Sequence, residues 1–75
     1  MIDLIEKLKE IRSDVDFENC KTLVDDNVIK SFDIIQIVGM IQEEYDIKVP
    51  VSELKPENFN SAETLWAMIE RLEDE

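Results

Sequence analysis

The chain has 75 residues, enough for one small domain over residues 1–75 with a minimal core. Its 8 basic and 19 acidic residues leave a formal net charge of −11, which makes nucleic acid an improbable partner because phosphate binding needs clustered cations. A single cysteine, Cys20, excludes an internal disulfide and is expected to be buried or half-buried. The chain has no histidine, so Ser-His-Asp and Cys-His catalytic arrangements and Cys/His zinc sites are excluded.

The sequence around the start, Met1 to Glu6, lacks the features of a secretory signal. The longest apolar run, Ile37 to Ile41, is far shorter than the roughly 18 residues of a membrane span. We therefore expect a soluble, cytoplasmic protein. The excess of acid favours basic protein partners, although a solvated acidic surface would explain the overall balance equally well.

Helical periodicity is clear at the start of the chain. A stripe at spacings of three and four predicts a first helix over about residues 2–12, formed by Ile2, Ile5, Leu8 and Ile11 with Leu4 beside them. Residues 13–30 then form a long, acidic connection. A loop of this length should be functional or anchored by its own side chains, and the anchors here are Val15, Phe17, Leu23, Val24, Val28 and Ile29.

A second helix is predicted from Ser31 to about Glu44, with Ser31 as N-cap and Asp33 in the first turn, where its charge suits the helix dipole. Its core face comprises Ile34, Ile37, Val38, Ile41 and Tyr45. A different side carries Phe32, Ile35 and Gly39, which adds apolar character that the core does not require.

The remainder of the chain predicts two further helical segments. Pro56 interrupts residues 51–59, so a short helical turn is expected there. Asn60 and Glu63 resemble a capping box for a last helix that ends in an acidic, frayed tail at residues 73–75. The inner face of this helix comprises Ala62, Leu65, Trp66, Ile69 and Leu72. The predicted fold is a monomeric, all-α bundle of three main helices plus one short helix.

Most candidate sites in this sequence have simple structural explanations. The segment Asp14 to Asn19 looks like the start of a calcium loop but lacks the glycine and the terminal glutamate of that motif, so no metal site is predicted. Ser31 allows two interpretations. It is either an ordinary N-cap, or a hydroxyl placed where helix amides and the dipole would stabilise a phosphate ester.

Two stretches, Asp25 to Asp33 and Glu43 to Pro50, resemble the acyl and peptidyl carrier proteins: an acidic loop, a serine followed by a bulky apolar residue, a helix ending in Glu-Glu-aromatic, and an extended exit into proline. The segment from Pro50 to Ser61 is similar to D-alanyl carrier proteins. The resemblance implies an acyl carrier protein-like fold, no enzyme activity of its own, and 4′-phosphopantetheine, taken from coenzyme A, on Ser31.

The resemblance also implies a phosphopantetheinyl transferase and acyl- or aminoacyl-handling enzymes with basic docking surfaces as partners, in fatty acid, polyketide, nonribosomal peptide or D-alanyl pathways. The predicted partner-binding residues flank or follow the serine along the second helix: Lys30, Phe32, Asp33, Ile35, Gln36, Gly39, Glu43 and Asp46. Lys30 departs from the family, which usually has an acid before the serine. The alternative function is a non-carrier, acidic, helical protein-interaction module.

Overall fold

The computed structural model describes residues 2–74, which form helices and no β-strand. The four α-helices are α1 (Ile2–Ile11), α2 (Ser31–Tyr45), α3 (Pro56–Phe59) and α4 (Ala62–Glu73), and a 3₁₀ turn (Val51–Glu53) precedes α3. The predicted bundle of three main helices and one short helix is confirmed, and the first two helices end within one residue of their predicted ends. None of the described helices is long and apolar enough to cross a membrane.

The core lies where α1, α2 and α4 meet. In α1 the fully buried residues are Leu4 and Leu8, one helical turn apart, while Ile5 and Ile11 are partly buried beside them. Ile2 was predicted in the core stripe, but its side chain is 74% exposed. The apolar stripe of α1 therefore centres on Leu4 and Leu8.

The long connection at residues 13–30 is held against the bundle by its apolar side chains, as predicted. Val15, Phe17, Leu23 and Ile29 are buried. Asn60 adds a polar anchor from the far end of the chain. Its side-chain oxygen accepts the backbone N–H groups of Val24 at 3.0 Å and Asp25 at 3.1 Å, and its carbonyl accepts the Leu23 N–H at 3.0 Å.

The start of α4 corrects the predicted capping box. Because Asn60 is bound to the loop, the N-cap is Ser61, whose hydroxyl accepts the Thr64 N–H at 3.1 Å. Thr64 Oγ1 in turn accepts the Ser61 N–H at 3.2 Å, which completes the box. The inner face of α4 also includes Met68, which is fully buried and was not predicted.

The C-terminal ends of α2 and α4 make further contacts. Tyr45 and Trp66 meet edge to face, with ring centroids 5.9 Å apart. Asp74 follows α4 and donates its N–H to the Leu72 carbonyl, while Glu75, predicted in the frayed tail, lies outside the described residues. Cys20 is partly buried among the core side chains, as predicted.

Candidate attachment site at the start of the second helix

Ser31 is the first residue of α2, and it is exposed. The N-cap is Lys30, which has an extended backbone at φ −119° and ψ 177°. The prediction that Ser31 itself caps the helix is therefore wrong, because its backbone already belongs to the helix. Its hydroxyl is consequently not used in closing the first turn.

Lys30 cannot cap the helix with its side chain, because an ammonium group has no hydrogen-bond acceptor. No side-chain cap hydrogen bond is made there. Asp33 supplies only the reverse half of a capping box: its Oδ2 accepts the backbone N–H of Lys30 at 3.1 Å. The amides of the first turn are left without a side-chain acceptor, which is the arrangement that favours an anion at a helix N-terminus.

Asp33 connects this turn to α1. The residue is only 7% exposed, and its Oδ2 also accepts a hydrogen bond from Arg12 Nη1 at 2.7 Å. Arg12 lies immediately after α1 and binds Asp14 with two further hydrogen bonds, each 2.9 Å long. One guanidinium therefore joins the end of α1, the following loop and the first turn of α2.

The charges in this cluster are mutually compensated. The hydrogen bonds from Arg12 lower the pKa of Asp14 from 3.8 to about 2, and the hydrogen bond to Asp14 contributes most to raising the pKa of Arg12. Asp33 was predicted among the acidic side chains that steer basic partners. Because its carboxylate is buried and paired with Arg12, it is not displayed as a free surface charge.

The outward side of α2 next to Ser31 is apolar and neutral. Phe32 is 70% exposed and Ile35 is 68% exposed. Gln36 and Gly39 are also exposed, and a Cβ added at Gly39 would meet nothing within 4 Å. We call these four residues the neutral patch. The sequence correctly placed Phe32, Ile35 and Gly39 away from the core.

Acidic side chains lie at the other end of α2. Glu43 and Asp46 are exposed, whereas Glu44 forms an ion pair with Lys7 of α1 at 3.4 Å. Asp46 ends the helix in the left-handed conformation, at φ 52° and ψ 48°. The 15 residues of α2 separate this acidic end from Lys30 and Ser31 by roughly 22 Å.

Within residues 2–74, the hydroxyl of Ser31 has no neighbouring group that would activate it as a nucleophile. Among the described residues no side chain forms a hydrogen bond to its hydroxyl, so nothing in that part of the chain acts as a general base for it. An exposed, unactivated hydroxyl does not initiate covalent chemistry by itself.

These features define a class: a small, acidic helical protein that displays a serine at the start of its second helix. Along nearly its full length the chain is similar to the D-alanyl carrier protein of Lactobacillus acidophilus, with 29% identity over 79 aligned positions that cover 99% of this chain and 100% of that protein. It is also similar to aminoacyl carrier protein 1 of Bradyrhizobium diazoefficiens, with 39% identity over 41 residues.

The second match covers 55% of this chain and 46% of that relative, so the matched region spans about half the length of the relative. No family model and no solved structure matches the chain. These two similarities confirm the resemblance to carrier proteins, and the names of the relatives support a carrier role.

Two residues that shape the site were missed by sequence reasoning. Arg12 was not identified as a site residue, and Asn60 was assigned to a helix cap. A partial signal was present for Arg12, since an arginine at a helix end before a short acidic turn is typical of a local ion pair with Asp14. Its contact with Asp33, 21 residues away, left no local signal in the sequence.

Proposed function

We propose that this protein is a carrier that holds an acyl or aminoacyl group as a thioester on a 4′-phosphopantetheine arm attached to Ser31, and that it has no catalytic activity of its own. The observation that carries the proposal is the exposed, uncommitted hydroxyl of Ser31 at the start of α2, in a chain similar along its whole length to a D-alanyl carrier protein.

The residues present fit the phosphopantetheine group. Ser31 would hold it through a phosphodiester, with the uncapped first-turn amides and the Lys30 ammonium beside its negative charge. On transfer, a bond forms between Ser31 Oγ and the phosphorus of the phosphopantetheine, the pyrophosphate bond of coenzyme A breaks, and adenosine 3′,5′-bisphosphate leaves. The hydroxyl proton passes to a base on the transferase. When bound, the arm supplies a thiol that forms the thioester.

For the cargo we favour an amino acid. The two relatives named above are an aminoacyl carrier protein and a D-alanyl carrier protein, and the second matches this chain from end to end. A fatty acyl or polyketide cargo is the second possibility, carried by the general resemblance to acyl carrier proteins. The partners would be a phosphopantetheinyl transferase and the enzymes that load and unload the arm, all acting in the cytoplasm on a monomeric carrier.

Docking on the neutral patch is expected to combine apolar contact with electrostatic steering. Replacing both Phe32 and Ile35 with alanine should weaken binding of a loading enzyme, because these side chains are the large apolar groups that α2 exposes. Added salt should weaken binding of the unaltered protein as well, since exposed charges are screened beyond about 8 Å at physiological ionic strength.

Isothermal titration of the holo carrier with its loading enzyme, repeated across a salt series, measures both effects on binding. Val51→Ala is the control, because Val51 is an exposed apolar side chain that lies outside α2. An affinity that stays constant from low to high salt would show that charge plays no part in docking. If Val51→Ala and the Phe32/Ile35 variant lose the same affinity for the loading enzyme, the exposed apolar side chains of α2 do not form the docking surface.

The carrier function itself is tested by modification of the intact protein. Incubation with coenzyme A and a purified phosphopantetheinyl transferase should add one phosphopantetheine per chain, visible in the intact mass. The added thiol should then accept an amino acid from an aminoacyl-loading enzyme. A chain that stays unmodified by every transferase of a broad panel would instead favour the non-carrier interaction module.

A further inference from the structure

The residue before Ser31, the N-cap of α2, carries an exposed positive charge. Lys30 is exposed and forms no ion pair among the described residues. The acid of the same turn, Asp33, is buried and neutralised by Arg12. The exposed charge adjacent in sequence to Ser31 is therefore an ammonium group rather than a carboxylate.

The charge reverses along the helix. Beyond the neutral patch, the exposed charges at the far end of α2 are the carboxylates of Glu43 and Asp46, while Glu44 is compensated by Lys7. The exposed surface of α2 thus has a cation at one end, no charge in the middle and anions at the other end. This order differs from a uniformly acidic surface, which the net charge of −11 alone would suggest.

Helix stability does not account for this order of charges. A cation at the N-terminus and anions at the C-terminus of a helix both oppose its dipole. The last turn of α2 also contains no basic residue that would offset Glu43. Both ends therefore carry charges of the sign that a helix disfavours, which points to a requirement outside the helix.

We infer that the enzyme that installs the group on Ser31 has a docking surface of matching polarity, with a carboxylate opposite Lys30 and a cation opposite Glu43 and Asp46. This inference rests on the proposed function and names the chemistry of its transferase. Complementary charges of this kind set orientation and association rate more than final affinity. Lys30 is then a specificity-determining residue, because it disfavours transferases that present a cation at that point.

The test compares two purified phosphopantetheinyl transferases. One is the enzyme that modifies the unaltered protein fastest in a panel, and the other is a broad-range enzyme whose carrier-binding surface is uniformly cationic. Values of kcat/KM are measured at low and high salt for the unaltered protein, for Lys30→Glu and for the matched control Lys55→Glu. Lys55 is likewise an exposed N-cap lysine, but it precedes α3, so its variant changes the net charge equally at a different helix.

We expect Lys30→Glu to lower kcat/KM for the first transferase by about tenfold at low salt, as loss of steering predicts, with a smaller effect at high salt. The same substitution should raise kcat/KM for the cationic transferase. Lys55→Glu should change neither value by more than about twofold, because Lys55 lies at the start of α3 and not along α2.

A change in kcat/KM of opposite sign for the two enzymes would show that Lys30 affects recognition. Damage to the site would instead slow both enzymes. Equal slowing of both enzymes, equal acceleration of both, no effect of Lys30→Glu, or an equal effect of Lys55→Glu would each overturn the inference. If the proposed carrier function is itself wrong, the result is different, because no transferase would then modify the unaltered protein at all.

Discussion

Replacing Ser31 with alanine is expected to abolish phosphopantetheine attachment completely while leaving the stability of the fold almost unchanged. The first effect follows from loss of the hydroxyl that would form the phosphodiester. The second follows from the structure, because Ser31 is the first helical residue and its hydroxyl caps nothing. An N-cap serine would cost about 1 kcal/mol on replacement by alanine, whereas an exposed residue outside such a role changes stability by less than about 0.5 kcal/mol.

The other serines provide the controls for this prediction. Ser13 and Ser52 are exposed but lie outside any long helix start, and their alanine variants should still gain one phosphopantetheine by intact mass. Ser61 is buried and bound to Thr64, so its variant reports the cost of losing a true cap. Attachment that survives Ser31→Ala would refute the assignment, and a thermal melt lowered as much as in Ser61→Ala would show that the hydroxyl has a structural role.

The helices were predictable because their signals are local. Apolar residues three and four apart defined α1, α2 and α4, and Pro56 limited the segment before α4 to short helical pieces. Phe32 and Ile35 could be assigned to the surface for the same reason, since they lie off the stripe that includes Ile37 and Ile41. These inferences need only the helical period and the residue types.

The caps and the buried charge could not be predicted, because they depend on contacts between distant segments. Asn60 is a good capping residue by type, but the loop of residues 13–30 places backbone amides within its reach and Ser61 takes over the cap. Asp33 looks like a typical first-turn acid on α2, yet its partner Arg12 is the residue that follows α1. Tertiary packing decides which of several suitable side chains caps a helix or pairs with a buried charge.

The ion pair between Arg12 and Asp33 leads to the second large effect, which concerns stability. Its two partners are unequally buried: the Asp33 side chain is 10% exposed and the Arg12 side chain is 30% exposed. Arg12 also keeps Asp14 as a second partner, whereas loss of Arg12 leaves Asp33 with only the Lys30 N–H. Removal of the arginine should therefore be the more damaging of the two changes.

A buried carboxylate left without its cation costs about 3–5 kcal/mol, and the nearby N-terminus of α2 should bring the cost for Asp33 toward the lower end of that range. A domain of 75 residues has a total stability of roughly 4–11 kcal/mol. Arg12→Ala is thus expected to remove a large share of the free energy of unfolding. Asp33→Asn should cost clearly less, because the amide oxygen still accepts the Lys30 N–H and no charge is buried.

The double variant, Arg12→Ala with Asp33→Asn, gives the decisive comparison. Because it leaves no carboxylate buried without a cation, it should unfold at a higher urea concentration than Arg12→Ala alone, although it carries one more substitution. Asp14→Asn is the control for the exposed side of Arg12 and should have the smallest effect of the set. If the double variant is instead less stable than Arg12→Ala by the full cost of Asp33→Asn, the two side chains act independently. The first turn of α2 would then not be held to α1 by charge.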